Sequence, residues 1–146
     1  MAKHGGLYAY TMCYRYTKDE KYLKHAENIA NYIISNKKVP NDGIPYWDYD
    51  APNIPNELRD ASAAAITASA LIELDQYSTN SYNTYFDKIM TSLDSSEYLA
   101  AIGGENNFFI LKHSVGSIPH GQEIDVPLNY ADYYYLEALL RLAKFK

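Results

Sequence analysis

Residues 6–16 run Gly-Leu-Tyr-Ala-Tyr-Thr-Met-Cys-Tyr-Arg-Tyr, apolar on nearly every face. That pattern predicts a first helix buried all round. Thr17-Lys18-Asp19-Glu20 follows with capping-box spacing and opens a second helix. Along that helix Tyr22, Ala26, Ile29 and Ile33 form one stripe, flanked by Leu23, Ala30 and Ile34. Lys21, Lys24, Glu27 and Asn31 face outward, so the helix is amphipathic. It ends near Lys37 and Lys38, whose charge suits the C-terminal end of the helix dipole.

Pro40, Pro45, Pro52 and Pro55 exclude a helix interior from residues 39–59. A loop of this length within a compact domain is usually functional. Asp60 is the expected N-cap of a third helix, which carries Ala61, Ala64, Ala65, Ala68, Leu71 and Ile72. Such small residues let neighbouring helices approach closely. Ser81 is the expected cap of a fourth helix, with Tyr82, Tyr85, Phe86, Ile89, Met90 and Leu93 inward. Residues 97–101 read as a short further turn of helix. Gly103 and Gly104 break the chain, and residues 108–112, Phe-Phe-Ile-Leu-Lys, read as a short strand or extended segment. A second long loop covers residues 113–129, and a last helix covers residues 130–144.

One order recurs: polar loop, nearly all-apolar helix, amphipathic helix. The last helix starts a third cycle. This is the pattern of helical hairpins arranged around a ring, inner helix then outer helix. Two and a half hairpins cannot close a ring. Their uncovered inner faces favour self-association or a missing half.

Composition adds limits. The length suits one domain over residues 1–146. Tyrosine is heavily used, 16 residues, which suits sugar-binding surfaces and wet helix rims alike. The net charge is -5 with no basic cluster, so no nucleic-acid partner is expected. An acidic balance does not exclude an anionic sugar. Cys13 is the lone cysteine and reads as a buried apolar filler. His4, His25 and His120 share no ligand spacing, so no metal and no cofactor are expected. Met1-Ala-Lys-His-Gly-Gly has no apolar signal core, and no run is long enough for a membrane span. As written the chain is expected in the cytoplasm, an inference that fails if it was trimmed from a precursor.

Four stretches carry a resemblance. Gly6-Leu-Tyr-Ala-Tyr-Thr-Met-Cys-Tyr-Arg-Tyr-Thr-Lys-Asp19 is the first, and Asp42-Gly-Ile-Pro-Tyr-Trp-Asp-Tyr-Asp-Ala-Pro52 the second. Arg59-Asp-Ala-Ser-Ala-Ala-Ala65 follows, and the last begins Glu123-Ile-Asp-Val-Pro-Leu-Asn-Tyr-Ala-Asp132. In this order they resemble the C-terminal portion of the unsaturated glucuronyl hydrolases, glycoside hydrolase family 88. The resemblance implies an all-α fold: a partial α/α barrel, or toroid, of helical hairpins, about half of a six-hairpin barrel. It implies removal of a 4,5-unsaturated uronic acid from lyase-generated oligosaccharides, by hydration of the enol-ether double bond with two aspartates. Those aspartates lie in the family's N-terminal half, and no position here matches them. A Trp-Ala-Arg-Gly-Gln-Ala-Trp motif of the family is also lost, with Met1-Ala-Lys-His-Gly5 standing where its last residues would be. The chain alone is therefore expected to be an inactive fragment, with no catalytic residue assigned.

The candidate substrate-binding residues are Tyr46, Trp47, Arg59 and His113. Trp47 reads equally as a stacking platform for a sugar ring or as an anchor of its loop. Tyr46 and Tyr49 each read as structural or as lining the cleft. The planar fork of Arg59 suits a uronate, or a loop carboxylate. His113 starts the last long loop and faces the cleft or serves packing. Asp60 caps a helix, Glu123 and Asp125 hold their loop, and Asp132 caps or braces the last helix. The expected partners are an acidic oligosaccharide, bound weakly or not at all by the fragment, and a second copy or the missing N-terminal half. The alternative function is a non-catalytic carbohydrate-binding or self-associating structural module.

Overall fold

A computed structural model describes residues 2–146. Its elements are α1 (Ala2–Thr17), α2 (Glu20–Ser35), α3 (Ala61–Leu74), α4 (Asn83–Leu93) and α5 (Asn129–Phe145), with a 3-10 turn at Glu105–Phe108. Among the described residues strand pairing is limited to isolated bridges.

The alanine-rich sequence of α3 makes it the centre of the fold. Every residue of α3 is buried, because α1, α4 and α5 pack on it and α2 touches its edge. Its contacts with α1 rise together along both helices, His4 to Thr67 and then Arg15 to Glu73. Those with α5 do the same, Ser69 to Glu137 and then Glu73 to Arg141. These three helices are therefore parallel. α2 runs the other way along α1, since Tyr14 meets Glu20, Tyr10 meets His25, and Lys3 meets Tyr32. α4 returns along α3, bringing Ser92 to the carbonyl of Asp42, whose carboxylate meets Arg59 just ahead of α3. Three parallel inner helices and two outer ones are two hairpins plus the first helix of a third, a partial α/α barrel. The long loops, residues 36–60 and 94–128, both lead into the N-terminal ends of inner helices.

The open side of the ring is visible on α1 and α5. On α1 the buried positions are His4, Leu7 and Thr11, one stripe facing α2 and α3, and Tyr16 is 76% exposed. The expectation of a helix buried all round is corrected, and Cys13 is half-buried rather than a core filler. α5 buries Ala131, Tyr135, Ala138 and Arg141 and leaves Tyr133, Leu136 and Leu140 exposed.

Several boundaries differ from the sequence reading. α1 starts earlier, at Ala2. Thr17 belongs to α1, its hydroxyl bonded to the Cys13 carbonyl, and Lys18 takes a left-handed turn at φ 56°. Asp19 is the N-cap of α2, accepting the Lys21 N–H. α2 ends at Ser35 with Asn36 as its C-cap. Tyr82 rather than Ser81 stands at the start of α4, and its N–H donates to Asp75 Oδ1 at 2.7 Å. Residues 97–101 are not helical. Leu99 pairs with Leu111 instead, through Ala100 N–H to the Ile110 carbonyl and Lys112 N–H to the Tyr98 carbonyl. Asp132 braces this pair, its carboxylate accepting the N–H groups of Ile110 and Leu111 at 2.9 and 2.8 Å. Among the described residues no helix is long and apolar enough to cross a membrane.

Candidate functional site

The proline-rich loop closes on itself at its neck. Trp47 N–H donates to the Leu58 carbonyl and Asp60 N–H to the Pro45 carbonyl, which sets Tyr46 opposite Arg59. Arg59 Nε donates to the Ile44 carbonyl at 2.9 Å, and its Nη2 meets both carboxylate oxygens of Asp42. The guanidinium also lies 5.2 Å from the centre of the Tyr46 ring. Gly43 makes the turn beside Asp42 at φ +81°, and a side chain there would press on Ile89. Farther out, Trp47 Nε1 donates to Glu57 Oε2 at 2.8 Å, and Glu57 Oε1 accepts the Asn53 N–H. Those bonds, Trp47 first, hold the Glu57 carboxyl below its usual range.

Two hollows flank this neck. The first, about 180 Å³, lies between the start of α1 and the loop, lined by Lys3, His4, Tyr46, Trp47, Tyr49 and their neighbours. The second, about 160 Å³, is lined by Glu57, Arg59, Glu97, Tyr98, His113 and Asp125, with Leu58. The structure thus joins Tyr46 and Trp47 in one hollow and Arg59 and His113 in the other, with the Tyr46–Arg59 bridge between them. Tyr46 is buried, and Trp47 is part-buried with its indole N–H held by Glu57.

His113 takes a left-handed backbone, φ 61°, which turns its carbonyl onto the Ala61 N–H at the start of α3. Its Nδ1 is 2.7 Å from Asp125 Oδ1, and its ring stands edge-on to Tyr98. The segment behind it folds back as a hairpin, Ser114 pairing with Val126 and Ser117 with Gln122. Gly116 is required there, because a Cβ would fall 1.9 Å from Glu123 Oε2. Asp60 fastens this hairpin to α3. Its Oδ1 accepts from the Ser62 N–H and hydroxyl and from the Val115 N–H. Burial raises the Asp60 carboxyl above the usual range. Among the described residues no group of histidine, cysteine and carboxylate side chains is gathered for a metal ion.

Lys3, His4, Asp42, Glu57, Glu97 and Tyr98 are among the site residues that sequence reasoning did not single out. The polar letters of Lys3 and His4 stand before the apolar run of the first helix, so no periodicity marks them. Asp42 followed by glycine marks a turn and carries no sign of the arginine it meets.

No protein-family model matches this chain. An unsaturated glucuronyl hydrolase of Formosa agariphila is 47% identical over 138 residues, which cover 92% of this chain and 34% of that enzyme. The unsaturated glucuronyl hydrolase of Bacillus sp. (strain GL1) is 33% identical over 144 residues, covering 95% of this chain and 37% of the enzyme. A solved unsaturated glucuronyl hydrolase specific for heparin superposes with a TM-score of 0.94 at 51% identity, covering 97% of this chain and 38% of that one. This chain resembles the C-terminal portion of an unsaturated glucuronyl hydrolase. It spans a little over a third of the length of these hydrolases. The likeness extends over both long loops, because nearly the whole chain is matched.

Proposed function

We propose that this chain forms one wall of the cleft of an unsaturated glucuronyl hydrolase, holding an acidic oligosaccharide that ends in a 4,5-unsaturated uronic acid. The observation that carries this reading is the position of the two hollows. The first opens where the proline-rich loop meets the start of α1, and the second where both long loops meet ahead of α3, inside a portion that matches a heparin-specific hydrolase. Trp47 offers an aromatic face to a sugar ring in the first hollow, which the buried Tyr46 also lines. Arg59 and His113 serve the carboxylate end in the second. A uronate reaching Arg59 competes with Asp42, which already holds Nη2. The two aspartates that hydrate the double bond belong to the family's N-terminal half, so the chain alone binds weakly and does not turn over.

The test is the ultraviolet absorbance of an unsaturated heparin disaccharide incubated with the purified chain, together with equilibrium binding of the same sugar. The expected result is constant absorbance with weak binding that Trp47→Ala abolishes. Loss of absorbance would overturn the assignment of the catalytic aspartates to the other half.

The exposed Tyr133, Leu136 and Leu140 on α5 favour a second reading alongside the first, in which the open side is covered by a second copy or by the rest of the barrel. Solution mass tests it: a stable dimer supports self-covering, and a monomer at micromolar concentration excludes it.

A further inference from the structure

His4 is 4% exposed, and both of its ring nitrogens are engaged. Nδ1 lies 2.6 Å from Thr67 Oγ1 on α3, and Nε2 lies 3.1 Å from the hydroxyl of Tyr49 in the proline-rich loop. The direction of these bonds is decided at the far end of the chain of contacts. Thr67 donates its single hydroxyl proton to the Ala63 carbonyl at 2.7 Å, one turn back along α3. Its oxygen is left to accept, so the proton in the 2.6 Å contact belongs to His4 Nδ1. A neutral imidazole carries one ring proton, so Nε2 accepts and Tyr49 donates. Burial favours this neutral form, with Lys3 adjoining.

Tyr49 is a junction of the mouth. Its ring stands edge-on to His4, lies beside Tyr32 of α2, and takes the Lys3 ammonium 5.0 Å from its centre. Tyr49 and His4 both line the first hollow.

We propose that His4, as the neutral Nδ1–H tautomer, is a positioning residue that latches Tyr49 to α1 and α3 and so holds the loop at residues 46–50 over the first hollow. Its polarity is set by a backbone carbonyl of α3, and the loop register follows from it. The latch stands independently of the hydrolase reading, since every bond in it lies within this chain.

The deciding experiment is a long-range proton–nitrogen spectrum of the ¹⁵N-labelled chain at neutral pH. The expected result is a His4 ring in the Nδ1–H form with Nε2 bearing a hydrogen-bond acceptor's shift. The Nε2–H form, or an imidazolium, overturns the proposal without need of a variant. Tyr49→Phe keeps the ring and removes the donor. It is expected to move the Nε2 resonance and to speed hydrogen exchange at the Ala51 amide, which donates to the Asp48 carbonyl across Tyr49, about five- to tenfold, the weight of one buried hydrogen bond. An unchanged Nε2 resonance with unchanged exchange overturns the latch.

Discussion

Arg141 of α5 reaches across the inner-helix seam to Glu73 of α3 at 2.9 Å, with 9% and 3% of the two side chains exposed. The same guanidinium donates to the Ser69 carbonyl at 2.7 Å and meets Glu137 at 3.2 Å, and Arg15 of α1 joins Glu73 at 3.3 Å. Two arginines and two glutamates thus balance one another where all three inner helices meet. They lie at or beyond the midpoints of those helices, away from the hollows. Removing Arg141 takes the shared partner from Glu73 and Glu137 and leaves the buried Glu73 with Arg15 alone. Arg141→Ala is expected to lower stability by about 3–5 kcal/mol, read from urea unfolding. A loss under about 1 kcal/mol would show that Arg15 suffices to compensate Glu73.

Arg59 and Asp42 close the loop neck while both remain partly open to solvent. Such a pair contributes modestly, about 0.5–1 kcal/mol. Asp42→Asn is expected to cost that much and to raise quenching of Trp47 fluorescence by acrylamide as the neck loosens. If Arg59 contacts the uronate, the same variant also tightens binding of the unsaturated disaccharide, because the competing carboxylate is gone. Weaker binding would assign Arg59 to loop closure alone.

His4 makes stability depend on pH. Burial lowers its pKa from 6.5 to about 3, so the unfolded chain takes up a proton near pH 6.5 that the folded chain refuses until about pH 3. Stability is therefore full above pH 6.5 and falls as pH drops between those values. The slope is about 1.4 kcal/mol per pH unit. Asp60 acts in the opposite sense, since burial raises its carboxyl and the fold favours its protonated form. Asp60 is common to the parent chain and to a His4 variant, so the difference between the two from pH 6.5 to 5 reads His4. Unfolding midpoints across that interval should fall in the parent chain and stay level in His4→Gln. A parallel fall in both would place the titration elsewhere.

Asp60 joins α3 to the hairpin behind His113 through acceptor contacts on a single carboxylate oxygen. Asparagine ranks with aspartate as an N-cap and carries no charge to desolvate. Asp60→Asn is expected to hold stability at neutral pH, whereas Asp60→Ala loses the cap and the Val115 contact at a cost of about 2 kcal/mol. Thermal melts of both variants check the difference. Equal losses would mean that the charge itself is needed.

The helical frame was legible because it is written in local periodicity. The stripe of α2 and the alanine run of α3 each name a face, and Asp60 stands as a cap directly before its helix. The boundaries that moved are those where one tertiary bond outweighed a local signal. Asp75 takes the Tyr82 N–H and displaces Ser81 as the start of α4, and Asp132 draws residues 110–111 into a bridge. The burial of α1 was overstated because an apolar surface tells how much a helix can bury, not how many neighbours arrive to bury it.

By itself the sequence determined the order of inner and outer helices, the two long loops that precede inner helices, and the aromatic and acidic character of the mouth. Tertiary structure alone decided which polar groups meet. His4 finds Tyr49 and Thr67 across 45 and 63 positions, and Arg141 finds Ser69 across 72. The physical reason is that burial is a property of a face, set by spacing along one helix. Hydrogen-bond and charge pairing is a property of two faces, fixed only when packing brings them within about 3 Å and removes the water that would otherwise satisfy each.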